Sequence, residues 1–197
     1  MNTYFILRHG ESLRNVKKIA VCWPEKIYSP LTQKGKKQIK EVAQGLKNEK
    51  IDLIFSSDLV RTKQTAEITG NELGLKPRFD KRLREINVGI FNGEPIDEIG
   101  RFYDKERKLL PLEYYKKRFQ TAPPKGEKYT EVEKRMYNFI KEMDKKYQEK
   151  NILIVSHQRP LTLLEKVIYS YSFKKFVKIV VEKKEIKTGE VRKIKQN

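Results

Sequence analysis

One cysteine, one tryptophan, three methionines and two histidines are all that this chain of 197 residues holds of those types. The lone thiol, Cys22, cannot close a disulfide within the chain, and no Cys/His cluster has the spacing of a zinc site. Ten glycines and eight prolines are too few for a collagenous or low-complexity sequence, and no internal repeat is present. No apolar run approaches the ~20 residues that span a bilayer. The opening Met-Asn-Thr-Tyr-Phe-Ile has no basic segment ahead of an apolar one. Neither a signal peptide nor a membrane span is therefore expected, and a cytoplasmic protein is the default. Acidic residues are also scarce: 26 Asp and Glu face 44 Lys and Arg, leaving a net charge of +18. A field of that sign attracts anions, among them phosphorylated metabolites and, less selectively, nucleic acid or acidic membranes.

What is present is a foldable globular composition, 38% hydrophobic and 10% aromatic, of a length that suits one domain over residues 1–197. Charged residues reach 36%, mostly Lys and Glu, against roughly 25% in ordinary proteins. That excess is compatible with a hyperthermophilic source. Strand and helix patterns alternate along the chain. After an apolar run at Tyr4-Phe5-Ile6-Leu7, Thr32 is placed to cap a helix whose apolar face is Ile39, Val42, Ala43 and Leu46. Leu53-Ile54-Phe55 reads as a buried strand. Ser57-Asp58 reads as the cap of a helix stopping near Gly74, and Phe79 as part of a third strand.

Four prolines break residues 93–126 into short pieces, an insert expected to form a partly helical lid. An amphipathic helix follows, burying Tyr129, Val132, Met136, Phe139, Ile140, Met143 and Tyr147. Pro160 suits the first turn of the helix after the second apolar run, Ile152-Leu153-Ile154-Val155. Phe176 to Val181 and Glu185 to Ile194 read as two strands joined at Thr188-Gly189. The expected fold is α/β: a three-layer α/β/α sandwich around a mostly parallel sheet.

Both histidines follow directly on apolar runs, His9 after Arg8 and His157 after Ser156. Buried parallel strands deliver side chains to the carboxyl edge of the sheet in this way, and α/β proteins hold ligands there. Singly, each is more simply a core or solvated histidine; two such scarce residues in one kind of place imply one site. Arg61 falls in the first turn of its helix, where the positive dipole end disfavours a cation, a conflict that a bound anion would relieve. The alternative is a side chain swung into solvent. Glu85, in a loop before Gly89 and Gly93, is on its own indistinguishable from an exposed glutamate.

Together these pieces resemble the histidine phosphatase superfamily, which includes the cofactor-dependent phosphoglycerate mutases. Leu7-Arg8-His9-Gly10-Glu11-Ser12 with Asn15 is similar to its opening motif, and Ser29-Pro30-Leu31-Thr32-Gln33-Lys34-Gly35 to its first helix entry. Residues 56–66 resemble its second arginine block, Leu83-Arg84-Glu85 its acidic block, and Val155-Ser156-His157 its second histidine. The resemblance implies that His9 takes the phosphoryl group and that Arg8, Asn15, Arg61 and His157 bind it. Glu85 then serves as general acid and base. No metal or other cofactor is implied.

Two departures stand out. Gln158 occupies a place where the family often has glycine, and it either reaches the pocket or faces away. Lys128 replaces a common serine. The implied activity is hydrolysis of a small phosphomonoester, with phosphoglycerate mutase as the alternative within the family. From another class, a binding module for nucleic acid or an acidic partner is suggested by the charge and by Tyr114-Tyr115-Lys116-Lys117-Arg118-Phe119. The plainer reading of that run is aromatic packing in the lid, so no specific nucleic-acid partner is expected. Arg101, Arg107 and Arg118 are available for a second anionic group. A monomer and a homodimer are equally compatible with the sequence.

Overall fold

Hydrogen-bonded neighbours on both sides of β1 (Thr3–Arg8) explain why its residues are apolar almost without interruption. The computed structural model describes residues 1–194. After β1 come the short helix α1 (Leu13–Lys17), α2 (Gln33–Leu46), β2 (Leu53–Ser56), α3 (Val60–Leu73) and the two-residue β3 (Arg78–Phe79). Next are α4 (Ile96–Tyr103), α5 (Pro111–Gln120), α6 (Tyr129–Lys146), β4 (Asn151–Ser156), α7 (Gln158–Ile168), α8 (Phe173–Val181) and β5 (Val191–Ile194).

The sheet order is β3-β2-β4-β1-β5. The first four strands run parallel, and β5 alone is antiparallel, closing one edge against β1. Alternate residues of each strand face opposite layers. Tyr4, Ile6, Phe55, Ile152 and Ile154 pack with Val132, Met136 and Phe139 of α6, Leu163 and Leu164 of α7, and Phe176 of α8. Phe5, Leu7, Ile54, Leu153 and Val155 pack with Ile39 and Leu46 of α2 and Ala66 of α3. The result is the three-layer α/β/α arrangement expected from the sequence. Each large apolar side chain so buried contributes about 1.5–3 kcal/mol. No helix among the described residues is long and apolar enough to cross a membrane.

Thr32 caps α2, its hydroxyl accepting the Gly35 N–H at 3.0 Å. Four expectations need correction, the first being that of residues 185–194 only Val191–Ile194 form a strand. Residues 176–181 are not a strand: they lie in α8, which starts where the Ser172 hydroxyl accepts the Lys175 N–H. The buried set Phe176, Val177 and Val180 has helical spacing, and its β-branched content masked that period. Ser57-Asp58 does not cap α3. Leu59 holds the N-cap position, and the Glu25 carboxylate, brought in from a distant loop, accepts the Val60 N–H at 2.9 Å. Finally, α6 ends at Lys146, and Tyr147 is only half-buried beyond it.

Within residues 93–126, Pro95 and Pro111 stand at the starts of α4 and α5. The aromatic residues and Arg118 of α5 turn inward, whereas Lys116 and Lys117 stay exposed. Tyr114, Tyr115 and Phe119 pack against the α6–α8 core. The Arg118 guanidinium lies 4.4 Å from the Tyr103 ring and 4.7 Å from the Tyr129 ring. The three α5 rings are partly buried, and Tyr114 and Tyr115 also line a cavity. Arg101 and Arg107 are paired with Glu98 and Asp97.

Candidate active site

Parallel pairing of adjacent β1 and β4 sets Arg8 opposite Ser156, so both strands end together at one edge. The chain crosses that edge at the same level on each strand, and the His9 N–H donates to Ser156 O at 3.1 Å. The two histidine rings then lie 5.3 Å apart, tilted by 62°. Next to β4, β2 ends at Ser56, and the Ser57 N–H donates to Val155 O. The turn after β1 fits closely on the first turn of α2: a Cβ on Gly35 would lie 2.0 Å from Glu11 O. Only glycine permits that approach.

His9 is fully buried, and its two contacts define one tautomer. Nδ1 lies 2.8 Å from Gly10 O, which can only accept, so Nδ1 carries the proton. Nε2 accepts the Arg61 Nε–H at 3.2 Å; a guanidinium can only donate, so Nε2 carries no proton and its lone pair faces Arg61. Burial, then the Arg61 and Arg8 charges, hold the imidazole well below its ordinary pKa. His9 is thus neutral, with the lone pair on the nitrogen that faces Arg61.

Arg61 is itself fully buried, donating to Val21 O at 3.0 Å with Nη1 3.7 Å from Glu25. The conflict at this helix start is therefore answered by an internal carboxylate. Burial and the nearby Arg14 pull Arg61 down to about 9, and burial pulls Arg8 down to about 10, so both remain charged at neutral pH. Arg8 donates to Ile186 O at 3.0 Å. His157 Nε2 is 3.0 Å from Ser57 Oγ; burial, Arg61 and His9 hold this ring neutral too. Arg8 Nε, Arg61 Nη1 and His157 Nδ1 are buried without a hydrogen bond, Nη1 having only its 3.7 Å ion pair with Glu25. Unpartnered buried donors are costly unless an acceptor completes them, and a tetrahedral oxyanion can serve several at once.

Glu85 lines a cavity of about 450 Å³ together with Arg14, Cys22, Tyr129, Gln158 and Arg159. One of its oxygens accepts the Ile86 N–H at 3.1 Å, and the other is 4.0 Å from Arg14 Nη1. Gln158, the first residue of α7, reaches this cavity. Asn15 stands apart from this arrangement in one respect: its Oδ1 is taken by the Ser12 N–H and hydroxyl, which cap α1. Among the described residues, no three His, Cys, Asp or Glu side chains lie close enough to hold a metal ion.

Sequence reasoning missed Arg14 and Glu25. Arg14 sits beside Asn15 in a motif where it carries no signature of its own. Glu25 meets Arg61 only through the tertiary fold.

A family model described as histidine phosphatase superfamily (branch 1) matches residues 4–193. A probable phosphoglycerate mutase GpmB of Yersinia pestis (strain Pestoides F) is 35% identical over 160 residues, 81% of this chain and 71% of the relative. A mycobacterial glucosyl-3-phosphoglycerate phosphatase structure superposes with TM-score 0.83 at 22% identity, covering 99% of this chain and 93% of that one. YhfR of Bacillus stearothermophilus superposes with TM-score 0.73 at 28% identity, covering 89% and 84%.

Proposed function

Because the chain belongs to branch 1 of the histidine phosphatase superfamily, we propose that it hydrolyses a small phosphomonoester through a phosphohistidine formed on His9. The observation that carries this reading is the His9 tautomer, with its proton on Nδ1 and its lone pair on Nε2. Nε2 attacks phosphorus as the bond to the leaving oxygen breaks. The hydrogen bond that Arg61 Nε–H now gives to Nε2 is given instead to a phosphoryl oxygen, joined by donors from Arg8 and His157, so that charge in the transition state meets fixed cations. Asn15 contributes only through its amide N–H group, since its oxygen is engaged in the α1 cap. Nδ1–H of the phosphorylated, cationic ring stays bonded to Gly10 O.

Glu85 supplies the proton that the leaving oxygen needs. As a carboxylate it then takes a proton from water, whose oxygen attacks phosphorus. The P–N bond breaks, its electron pair returns to Nε2, and orthophosphate leaves. On this reading the leaving alcohol occupies the cavity that Glu85 and Gln158 line, with α4 and α5 as a lid over it.

A second reading, phosphoglycerate mutase activity, is favoured by the name of the Yersinia relative. The two separate on one assay. Hydrolysis predicts phosphate release from p-nitrophenyl phosphate and from members of a sugar- and glycerate-phosphate panel. Isomerisation of 3-phosphoglycerate with 2,3-bisphosphoglycerate present, and no phosphate release from the panel, would establish the mutase instead.

A further inference from the structure

His9 and His157 are both fully buried, so a phosphoryl group reaches Nε2 only when side chains above it part. Arg14 belongs to both compartments. It lines the cavity, and its charge is among those that act on His9, His157, Arg8 and Arg61, behind burial in each case. Its Nε donates to Ile19 O at 3.2 Å and its backbone N–H to Ser29 Oγ at 2.9 Å, which fix the base of the side chain. The guanidinium end is left to Glu85. That contact, at 4.0 Å, is an ion pair without a hydrogen bond between side chains 12% and 10% exposed.

A charge inventory points the same way. Four arginines, Arg8, Arg14, Arg61 and Arg159, surround the site with three glutamates, Glu25, Glu85 and Glu185. Glu25 is committed to Arg61 and the start of α3, and Glu185 to Arg159. Arg14 is left with Glu85, and Arg8 with Glu85 and, more weakly, Glu185. A phosphomonoester dianion carries two charges, and it matches Arg8 and Arg14 once it displaces the Glu85 carboxylate from Arg14.

We propose that Arg14 is a phosphoryl-binding residue that exchanges the Glu85 carboxylate for the substrate dianion. The exchange opens the way to His9 and frees Glu85 to face the leaving oxygen. The dianion brings two negative charges against the one carboxylate it replaces, and its oxygens accept hydrogen bonds that Glu85 at 4.0 Å does not. This inference rests on the phosphatase reading above.

Inorganic phosphate is the probe, titrated by calorimetry into wild type and variants at pH 8, where it is a dianion. Arg14→Gln is expected to weaken phosphate binding about tenfold to a hundredfold, the loss of a charge-assisted contact. Arg14→Lys, which keeps the charge but not the fork, is expected to weaken it by a few-fold. Glu85→Gln is expected to tighten binding, and most of that gain should vanish when Arg14→Gln is added. Wild-type affinity in Arg14→Gln would overturn the proposal, as would equal tightening by Glu85→Gln with and without Arg14. Should Arg14→Gln fail to fold, unchanged affinity in Arg14→Lys overturns it alone. A wild-type protein that binds phosphate and releases it from phosphomonoesters, with an inert Arg14, sinks only this inference. A wild type that does neither sinks the phosphatase reading with it.

Discussion

His9 can attack phosphorus only through a ring nitrogen that carries no proton, and both of its neutral-state contacts leave Nε2 in that condition. The same burial has a cost that can be measured. In the unfolded chain a histidine titrates near roughly pH 6.5, whereas both folded rings stay neutral well below that. Below about pH 6.5 the unfolded state therefore binds protons that the native state does not, so stability is full above that pH and declines as pH falls below it. The slope is about 1.4 kcal/mol per pH unit for each histidine. Urea unfolding at pH 7.5, 6.5 and 5.5 should show this decline, and His9→Asn should reduce it. With only two histidines in the chain, proton NMR of the ring C–H groups should show neither titrating in the native protein over the same range; a midpoint near 6.5 for His9 would contradict its burial. The residue types of this site were legible because each stands in a motif. The pairings were not: Arg61 with Glu25, and Glu85 with Arg14, join parts of the chain with no local signal.

At the scale of elements, the sequence marks starts and stops better than it marks partners. Thr32 at the start of α2 and Gly74 at the end of α3 stand as read, because a hydroxyl before an apolar face and a left-handed glycine after one act locally. The first turn of α3 misled because its cap comes from Glu25, and α8 misled because β-branched residues were given their intrinsic preference over their spacing. The contact between the turn after β1 and α2 offers a paired test on one helix. At Gly35 an added Cβ would lie 2.0 Å from Glu11 O, while at Gly45 nothing stands within 4 Å. Gly35→Ala should destabilise by about 2 kcal/mol or more through forced backbone displacement. Gly45→Ala should stabilise by about 0.5–1 kcal/mol through helix propensity. Denaturant titration of the two variants checks both, and a neutral Gly35→Ala would mean that α2 does not press on the turn bearing His9.

For the whole molecule, the sheet order accounts for the site. Placing β1 beside β4 brings together two histidines separated by most of the chain, and β2 beside β4 adds the turn that leads to Arg61. That the chain is α/β follows from its alternating pattern, but strand order does not, since it depends on which helices cover which face. The net charge of +18 has the sign that, on the proposed reading, speeds encounter with a phosphorylated ligand. The central claim, that His9 accepts the phosphoryl group, is tested most directly by intact-protein mass spectrometry after alkaline quench during turnover of p-nitrophenyl phosphate. One added phosphoryl group, lost on acid treatment, mapped to the peptide holding His9 and missing from inactive His9→Ala, is the predicted result. A label on any other residue, or undiminished turnover by His9→Ala, would contradict it.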